Sequence, residues 1–189
     1  MRNISKFFDN YFNEYQSLIV DKNNKKKLNL FFQQILKIKK NKKKVMIVGN
    51  GGSAAIASHF SVDLTKNAKI RCTNYNEYDL LTCFANDYGY EKWVEKSLEF
   101  YADEGDVLIL ISASGNSQNM INAAHFAKKN KINKIITFTG NDKDNRLSKL
   151  GDINFWVNSK SYNLIENTHQ ALLLSLVDLI IGKLEYPPN

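Results

Sequence analysis

The sequence is poor in the residues that cross-link a chain or anchor it in a membrane. Its only cysteines, Cys72 and Cys83, lack the spacing of a metal site and need not pair, which fits a reducing compartment. No apolar run approaches the roughly 18 residues that a membrane span requires, and the polar N-terminus does not resemble a signal peptide. We therefore expect a cytoplasmic protein without a membrane partner.

Proline is scarce as well. The two prolines are Pro187 and Pro188, so none interrupts the preceding chain, and neither an internal repeat nor a long linker is evident. With 189 residues, 43% of them hydrophobic and 24% charged, the chain has the size and composition of one soluble globular domain. We expect residues 1–189 to form that single domain.

The positive charge comes mainly from lysine and is concentrated in two clusters. The formal net charge is +7, and lysines crowd residues 25–27 and 37–44. The second cluster, KIKKNKKK, closes a predicted helix, where lysines complement the helix dipole and keep the last turn solvated. The alternative is a nucleic-acid surface. No recognition motif accompanies the lysines, so the pattern favours the solvated turn, and we do not expect a nucleic-acid partner.

Two amphipathic helices are predicted before the first strand. Apolar residues recur at helical spacing in residues 4–19 and again in residues 27–39. Their aromatic stripes exceed what one face of a sheet needs to cover. We expect residues 1–40 to supply a subunit interface, while residues 45–183 form the α/β core.

The rest of the chain alternates between short apolar strands and helices, which indicates a parallel sheet covered on both faces. The fold class is therefore α/β: a three-layer α/β/α sandwich around a five-stranded parallel sheet, Rossmann-like or flavodoxin-like, preceded by the two helices. Ligands of such sheets bind at the carboxyl ends of the strands. The predicted strands are residues 45–48, 69–73, 107–111, 134–139 and 153–157, and the predicted helices are residues 53–66, 91–101, 116–130 and 164–183, with residues 80–85 left ambiguous.

The first strand ends in a loop suited to an anion. VMIVGNGGSAAIASHF, residues 45–60, runs from an apolar strand through three glycines and a serine into a small-residue helix. Such a turn presents bare backbone N–H groups at a helix N-terminus, where anions bind. The letters also fit G-x-G-x-x-A, so a dinucleotide and a small phosphate ester are both open at this point.

A second loop of the same kind follows the strand at residues 107–111. SASGNSQN offers hydroxyls at Ser112, Ser114 and Ser117, and Gly115 lets the backbone approach a ligand. One such loop would be an ordinary capped turn, because serine and asparagine are common N-caps. Two of them, each ending a strong strand, favour a single phosphate held between both loops.

Two nucleotide alternatives fit the sequence less well. A dinucleotide site expects an acidic residue about 20 residues on, but KIRCTNYN contains no carboxylate before Glu77. A P-loop requires Lys-Ser or Lys-Thr after the glycines, and neither follows them. We therefore expect no nucleotide cofactor.

Four segments together resemble a known family. GNGGSAAIASHFSVDL, FANDYGYE, ISASGNSQN and LIENTHQALLLSLVDLI are similar to the sugar isomerase (SIS) domain, in its phosphoheptose isomerase branch, over nearly the whole chain. The resemblance implies isomerisation of sedoheptulose 7-phosphate to a heptose 7-phosphate for bacterial surface polysaccharide, a homotetramer, and in several members an active-site zinc. It implies that loop serines hold the phosphate and that Asn50 and Asp87 face the sugar. The implied substrate-binding set is Asn50, Gly51, Gly52, Ser53, Asp87, Ser112, Ala113, Ser114 and Ser117.

Two pairs of ionisable residues are candidates for proton transfer. An aldose–ketose isomerase needs a base beside a carbonyl carbon and an acid at the oxygens, usually a carboxylate and a histidine. His59 and Asp63 stand four residues apart on the helix after the first loop, and Glu166 and His169 stand three apart in the last helix. Each pair therefore shares one helix face. His125 lies in a solvated helix and is interpreted as structural.

The sequence departs from the family where the chemistry is concerned. The family's helix glutamate is Asp63 here, its glutamine in the last helix is Glu166, and its essential histidine falls on Leu174. His169 matches another histidine of that helix. Further differences lie at Tyr75, Asn76 and Asn67, where the family has threonine, aspartate and arginine.

The departures leave the question of a metal open. A zinc site built at the aligned positions keeps His59, Asp63 and Glu166, and three protein ligands with a water make a catalytic type of zinc site. A metal-free acid–base pair is the other alternative.

Two functions from different classes follow. The first is a phosphosugar isomerase with Asp63 or Glu166 as the base and His59 or His169 assisting at the oxygens. The second is a binding protein resembling the replication-initiator-associating protein, a branch that keeps the fold and lacks the catalytic histidine. In this sequence Leu174 occupies the position of that histidine. We favour the enzyme, because a disused site need not keep three ionisable groups at ligand positions.

Overall fold

The computed structural model describes residues 3–185, so the outermost residues of the predicted domain, including Pro187 and Pro188, lie outside it. Helices and strands alternate through most of this range, as the apolar pattern predicts. In chain order the elements are α1 (Ile4–Ile19), α2 (Lys22–Lys40), β1 (Val45–Gly49), α3 (Gly52–Lys66), β2 (Cys72–Asn74), α4 (Tyr78–Tyr88), α5 (Trp93–Tyr101), β3 (Val107–Ser112), α6 (Gln118–Lys129), β4 (Lys134–Thr139), β5 (Ile153–Trp156) and α7 (Tyr162–Ile181).

All five strands form one parallel sheet in the order β2-β1-β3-β4-β5. This is the flavodoxin-like order, and the α/β prediction is confirmed. The chain leaves β1 toward one edge of the sheet and leaves β3 toward the other edge. The loops after β1 and β3 therefore diverge, and they leave a crevice at the carboxyl ends of these two neighbouring strands.

The sheet has a helical layer on each face because alternate strand residues point in opposite directions. Val45 and Ile47 pack into a core with α2, α3 and α7, whereas Met46 and Val48 pack into a second core with α5 and α6. Every residue of β1 and of β3 is buried. This double burial explains why both strands read as unbroken apolar runs.

Three local differences from the predicted boundaries have clear causes. α2 begins at Lys22 rather than at residue 27, because the Asp21 carboxylate accepts a hydrogen bond from Asn23 N at 2.6 Å and caps the helix. β2 begins at Cys72, because the chain first turns through Lys69 at a φ of +57°. The ambiguous residues 80–85 belong to α4, whose apolar side chains pack against the second core at helical spacing.

α1 lies outside both main cores. None of its residues is buried, and its aromatic side chains are largely exposed. The exposed fractions of Phe7, Phe8 and Phe12 are 58%, 50% and 59%. The helix touches α7, and Tyr15 Oη donates a hydrogen bond to the Asn167 carbonyl at 3.2 Å. An apolar helix face is thus left on the surface of the single chain.

α7 is the one helix of the described chain with the length and mean hydropathy that a membrane span would need. The sequence pattern did not predict this, because Glu166 and His169 interrupt its apolar residues. One face of α7 packs against α3 and the sheet, and its buried residues include the polar Thr168 and His169. A core helix meets the same length and hydropathy test, so the observation is weak evidence for a membrane span.

Candidate active site

The first loop turns sharply from β1 into α3. Gly51 has a φ of +56°, a conformation that favours glycine, and α3 begins at the next residue, Gly52. Ser53 follows in the first turn and is buried. The Ser53 and Ala54 N–H groups donate back to the Asn50 and Gly51 carbonyls at 3.0 Å, whereas the Gly52 N–H makes no hydrogen bond to any described residue and is available to an anion at the start of α3.

The second loop gathers three hydroxyl groups. Ser112 Oγ donates to Ser117 Oγ at 3.0 Å and lies 3.4 Å from Ser114 Oγ. Ser117 is the N-cap residue of α6, yet its side chain makes no capping hydrogen bond. The Ser117 hydroxyl is therefore turned toward the other serines, and not toward the helix that it precedes.

The two loops enclose one cavity at the predicted position between β1 and β3. Its volume is about 180 Å³. The cavity brings together most of the predicted substrate-binding residues, and Gly51 and Gly52 form the turn beside it. The lining residues are Asn50, Ser53, Ile111, Ser112, Ala113, Ser114, Ser117, Tyr162 and Glu166.

Asn50 is held in place by an amide pair that crosses the crevice. Asn50 Nδ2 donates to Asn119 Oδ1 at 3.1 Å, and Asn119 Nδ2 donates to Asn50 Oδ1 at 2.9 Å. Tyr90 Oη donates to the same Asn50 oxygen at 3.1 Å. Asn119 is buried on α6, so this reciprocal pair fixes the first loop relative to the second.

The FANDYGYE segment reaches the site through Tyr90, whereas Asp87 does not line the cavity. Asp87 lies near the end of α4, is exposed, and accepts a hydrogen bond from Asn86 Nδ2 at 2.9 Å. Its predicted contact with the sugar stays a prediction.

Asn76, where the family has aspartate, supports the end of β1. Its Nδ2 donates to Gly49 O at 2.8 Å, and its Oδ1 accepts from Gly49 N at 3.3 Å. An ionised carboxylate has no N–H to donate, so only an amide makes both bonds. This departure from the family therefore braces the strand from which the first loop leaves.

Glu166 lies against the first loop. A side chain at Gly52 would collide with the Glu166 carboxylate, because a Cβ built there is 2.3 Å from Oε2. Burial raises the pKa of Glu166, since desolvation penalises its charged form. The cavity thus contains a carboxylate beside the serine hydroxyls.

His59 and Asp63 form a second group of polar residues, further along α3. His59 Nε2 lies 3.3 Å from Asp63 Oδ2, and Asn67 Nδ2 donates to Asp63 Oδ1 at 3.2 Å. Gln170 Nε2 lies 3.2 Å from His59 Nδ1. The two ring nitrogens of His59 thus contact the Gln170 amide on one side and the Asp63 carboxylate on the other.

His169 is not brought to either group. It is fully buried, lies 5.5 Å from the Phe138 ring centroid, and its Nε2 donates to the Thr139 carbonyl at 3.1 Å. Desolvation lowers its pKa to about 4, so the ring is neutral near pH 7. The three-residue spacing predicts that His169 shares a helix face with Glu166, but its side chain points into the core.

The arrangement does not fit the zinc site that the sequence suggests. His59 and Asp63 are adjacent, but Glu166 packs against Gly52, and His59 already uses both ring nitrogens in contacts within the chain. Among residues 3–185, no three His, Cys, Asp or Glu side chains gather closely enough to hold a metal ion. Zinc binding stays a prediction.

Four residues of the site were not predicted from the sequence. Gln170 follows Glu166 by four positions, and this helical spacing could have indicated a shared face. Asn119 and Tyr90 lie within the quoted motifs, but only the packing of α6 and of the segment after α4 shows that both reach Asn50. Tyr162 carried no signal in the sequence.

Comparison with known proteins agrees with this geometry. A family model described as SIS domain matches residues 8–140, more than half of the chain. The phosphoheptose isomerase of Aliarcobacter butzleri strain RM4018 is 36% identical over 153 residues, which cover 78% of this chain and 80% of that protein.

Two solved structures with the same overall fold are phosphoheptose isomerases. A phosphoheptose isomerase from Francisella tularensis superposes with a TM-score of 0.86 at 25% identity, over 97% of this chain and 100% of that one. The phosphoheptose isomerase from Neisseria gonorrhoeae gives a TM-score of 0.81 at 28% identity, over 95% of this chain and 97% of that one.

Proposed function

This chain belongs to the SIS domain family and to its phosphoheptose isomerase branch, and on that premise we propose that it isomerises sedoheptulose 7-phosphate to a heptose 7-phosphate. One structural observation carries the proposal to this chain: the two serine-containing loops enclose a single cavity at the β1/β3 crevice. The named relatives and structural neighbours favour an aldose–ketose isomerase over the binding-protein alternative.

The phosphate end of the substrate is assigned to this cavity. The hydroxyls of Ser53, Ser112, Ser114 and Ser117 donate to phosphate oxygens, together with the free Gly52 N–H at the start of α3. Asn50, fixed by Asn119 and Tyr90, contacts the sugar next to the phosphate.

The reacting carbons are assigned to the His59–Asp63 group. His59 lies six residues beyond Ser53 on α3, about 9 Å along the helix axis, and Asp63 follows one turn later with a side chain that tilts back toward the helix N-terminus. An extended seven-carbon chain spans a similar distance between its phosphate and its carbonyl end. We assign Asp63 as the base that takes the proton next to the carbonyl, and His59, whose Nε2 lies 3.3 Å from the Asp63 carboxylate, as the group that serves the oxygens.

Chain length is the test of this assignment. We expect turnover of sedoheptulose 7-phosphate and a kcat/KM about 100-fold lower or less for dihydroxyacetone phosphate, because a three-carbon chain anchored at the serines does not reach Asp63. A coupled assay over a panel of ketose phosphates, with and without added zinc, measures both. If no ketose phosphate is turned over in either condition, the binding-protein alternative is correct.

Leu174→His tests the largest departure from the family. Leu174 is half-buried one turn beyond Gln170 on α7, so a histidine there adds an acid–base group near the His59–Asp63 group. We expect turnover to rise by about tenfold or more. The matched control Leu174→Asn adds polarity without an acid–base group and should not raise it. Zinc titration of the same variants reports any gain in metal affinity, and an unchanged rate in Leu174→His would contradict the prediction.

We also propose a homotetramer that uses the exposed aromatic face of α1. Phe8 and Phe12 are at least half exposed on a helix without any buried residue, and burying such a face in a subunit contact is favourable. Light scattering should give the mass of a tetramer, and Phe8→Lys should reduce it. Tyr78→Lys, at an exposed aromatic of α4, serves as the control. A monomeric wild type at micromolar concentration would refute the proposal.

The cell compartment and the pathway are part of the same proposal. We propose a cytoplasmic enzyme whose product supplies heptose for bacterial surface polysaccharide. The support for it is the family membership of the chain.

A further inference from the structure

A second cavity, which the isomerase reaction does not use, lies at the amino ends of the strands, opposite the serine loops. Its volume is about 380 Å³, and five of its six lining residues are cations: Lys39, Lys42, Lys43, Lys69 and Arg71, with Ile70 as the sixth. These residues precede β1 and β2, so the cavity lies at the amino ends of the strands, away from the serine loops.

The five charges are not neutralised by the chain. Within residues 3–185, none of them takes part in an ion pair. Asp103 is near enough for Lys43 and Arg71 to help lower its pKa, but the larger cause is Lys44, which binds it at 2.6 Å. Asp103 is also largely exposed, so it does little to offset the cluster.

Among the described residues, only two of the five cations donate hydrogen bonds to carbonyl groups near helix ends. Lys39 Nζ donates to the Ala68 carbonyl at 3.2 Å, and the Arg71 guanidinium donates to the Lys42 carbonyl. Both contacts satisfy carbonyls just beyond the ends of α2 and α3. The ammonium groups of Lys42, Lys43 and Lys69 make no hydrogen bond to any described residue, and they remain available to a ligand.

Two of the lysines are kept at a cost in backbone strain. Lys42 and Lys69 have φ values of +54° and +57°, where an L-residue other than glycine is disfavoured. Glycine at either position would relieve the strain, and it would also remove a charge from the cavity.

We propose that this cavity binds an oligophosphate, a chain of two or more phosphoryl groups, either inorganic or carried by a nucleotide. Five cations around one concave cavity match several phosphoryl charges at once, whereas a nucleic-acid surface would need charges spread along an extended face. The site is separate from the catalytic cavity and is independent of the isomerase assignment.

The test is calorimetric titration of the full-length protein with inorganic triphosphate at low ionic strength. Wild type should bind triphosphate, and the double variant Lys42→Gly/Lys69→Gly should bind about tenfold more weakly. Lys131→Gly is the matched control, because Lys131 also has a left-handed φ of +56° but does not line the cavity. Its affinity should equal that of wild type.

Further arms separate the alternatives. Tighter binding of ATP than of triphosphate assigns a nucleotide, and equal binding assigns the inorganic chain. Ser114→Asp should keep triphosphate affinity, which shows that the catalytic cavity is not the site being titrated. Lys42→Asn/Lys69→Asn replaces the glycine variant if that one melts early, because asparagine tolerates this conformation. Unchanged affinity in the folded double variant, or duplex DNA binding that triphosphate does not displace, would overturn the proposal.

Discussion

Asp63→Asn is expected to lower kcat by about 100-fold to 10,000-fold, the range for loss of a general base, while orthophosphate affinity stays close to wild type. An amide has nearly the shape of a carboxylate, so the contact with His59 on α3 can persist. The amide cannot accept the substrate proton, so the substitution lowers kcat and leaves phosphate binding intact. Steady-state kinetics and calorimetry with orthophosphate measure the two quantities separately.

Glu166→Gln is the matched control, because it makes the same chemical change at the other candidate base. Glu166 lines the phosphate cavity, which places it nearer the phosphate than the reacting carbons. Glutamine is also the residue that the family has there. We expect this variant to keep its turnover. A collapse of kcat in Glu166→Gln with a near-normal rate in Asp63→Asn would exchange the two roles.

Ser114→Asp is expected to weaken binding of orthophosphate and of sugar phosphates by about 100-fold or more, because a fixed negative charge then faces the anion at short range in a partly desolvated cavity. Ser114 is only partly buried and lines the cavity beside Ser112, so the longer side chain projects into the cavity without displacing the core. Calorimetric titration with orthophosphate measures the loss directly.

Gln118→Glu supplies the control for charge alone. Gln118 is the first residue of α6, is exposed, and accepts a hydrogen bond from Arg146 Nη1 at 3.1 Å, so a glutamate there finds a cationic partner outside the cavity. Its phosphate affinity should stay within about threefold of wild type, as expected for an exposed and paired charge. If Ser114→Asp binds phosphate as wild type does, the serine loops are not the phosphate site.

Much of the architecture is readable from the sequence because both faces of the central strands are buried. β1 and β3 lie between two helical layers, so their residues are apolar up to Ser112, the last residue of β3, and short apolar runs between helices identify a parallel sheet. The two small-residue loops follow these strands directly. Since ligands of such sheets bind at the carboxyl ends of the strands, the sequence also indicated where the phosphate cavity would be.

Side-chain direction was decided by tertiary packing. Glu166 and His169 share a helix face by spacing, yet α7 packs so that Glu166 reaches the cavity and His169 enters the core beside Phe138. A three-residue spacing separates two side chains by about 60° around the helix, and a core-facing and a cavity-facing position can be that close together. Only the contact between α7 and the sheet distinguishes them.

Contacts between distant segments were likewise beyond local reasoning. Asn119 pairs with Asn50 across 69 positions, and Gln170 meets His59 across 111. The cations of the second cavity come from two connections, after α2 and after α3, that the sheet order brings together at one edge. The sequence by itself determined the layers, the strands and the two phosphate loops, because burial and backbone geometry leave periodic and compositional marks. The tertiary structure alone decided which polar side chains meet, because that depends on how the helices pack on the sheet.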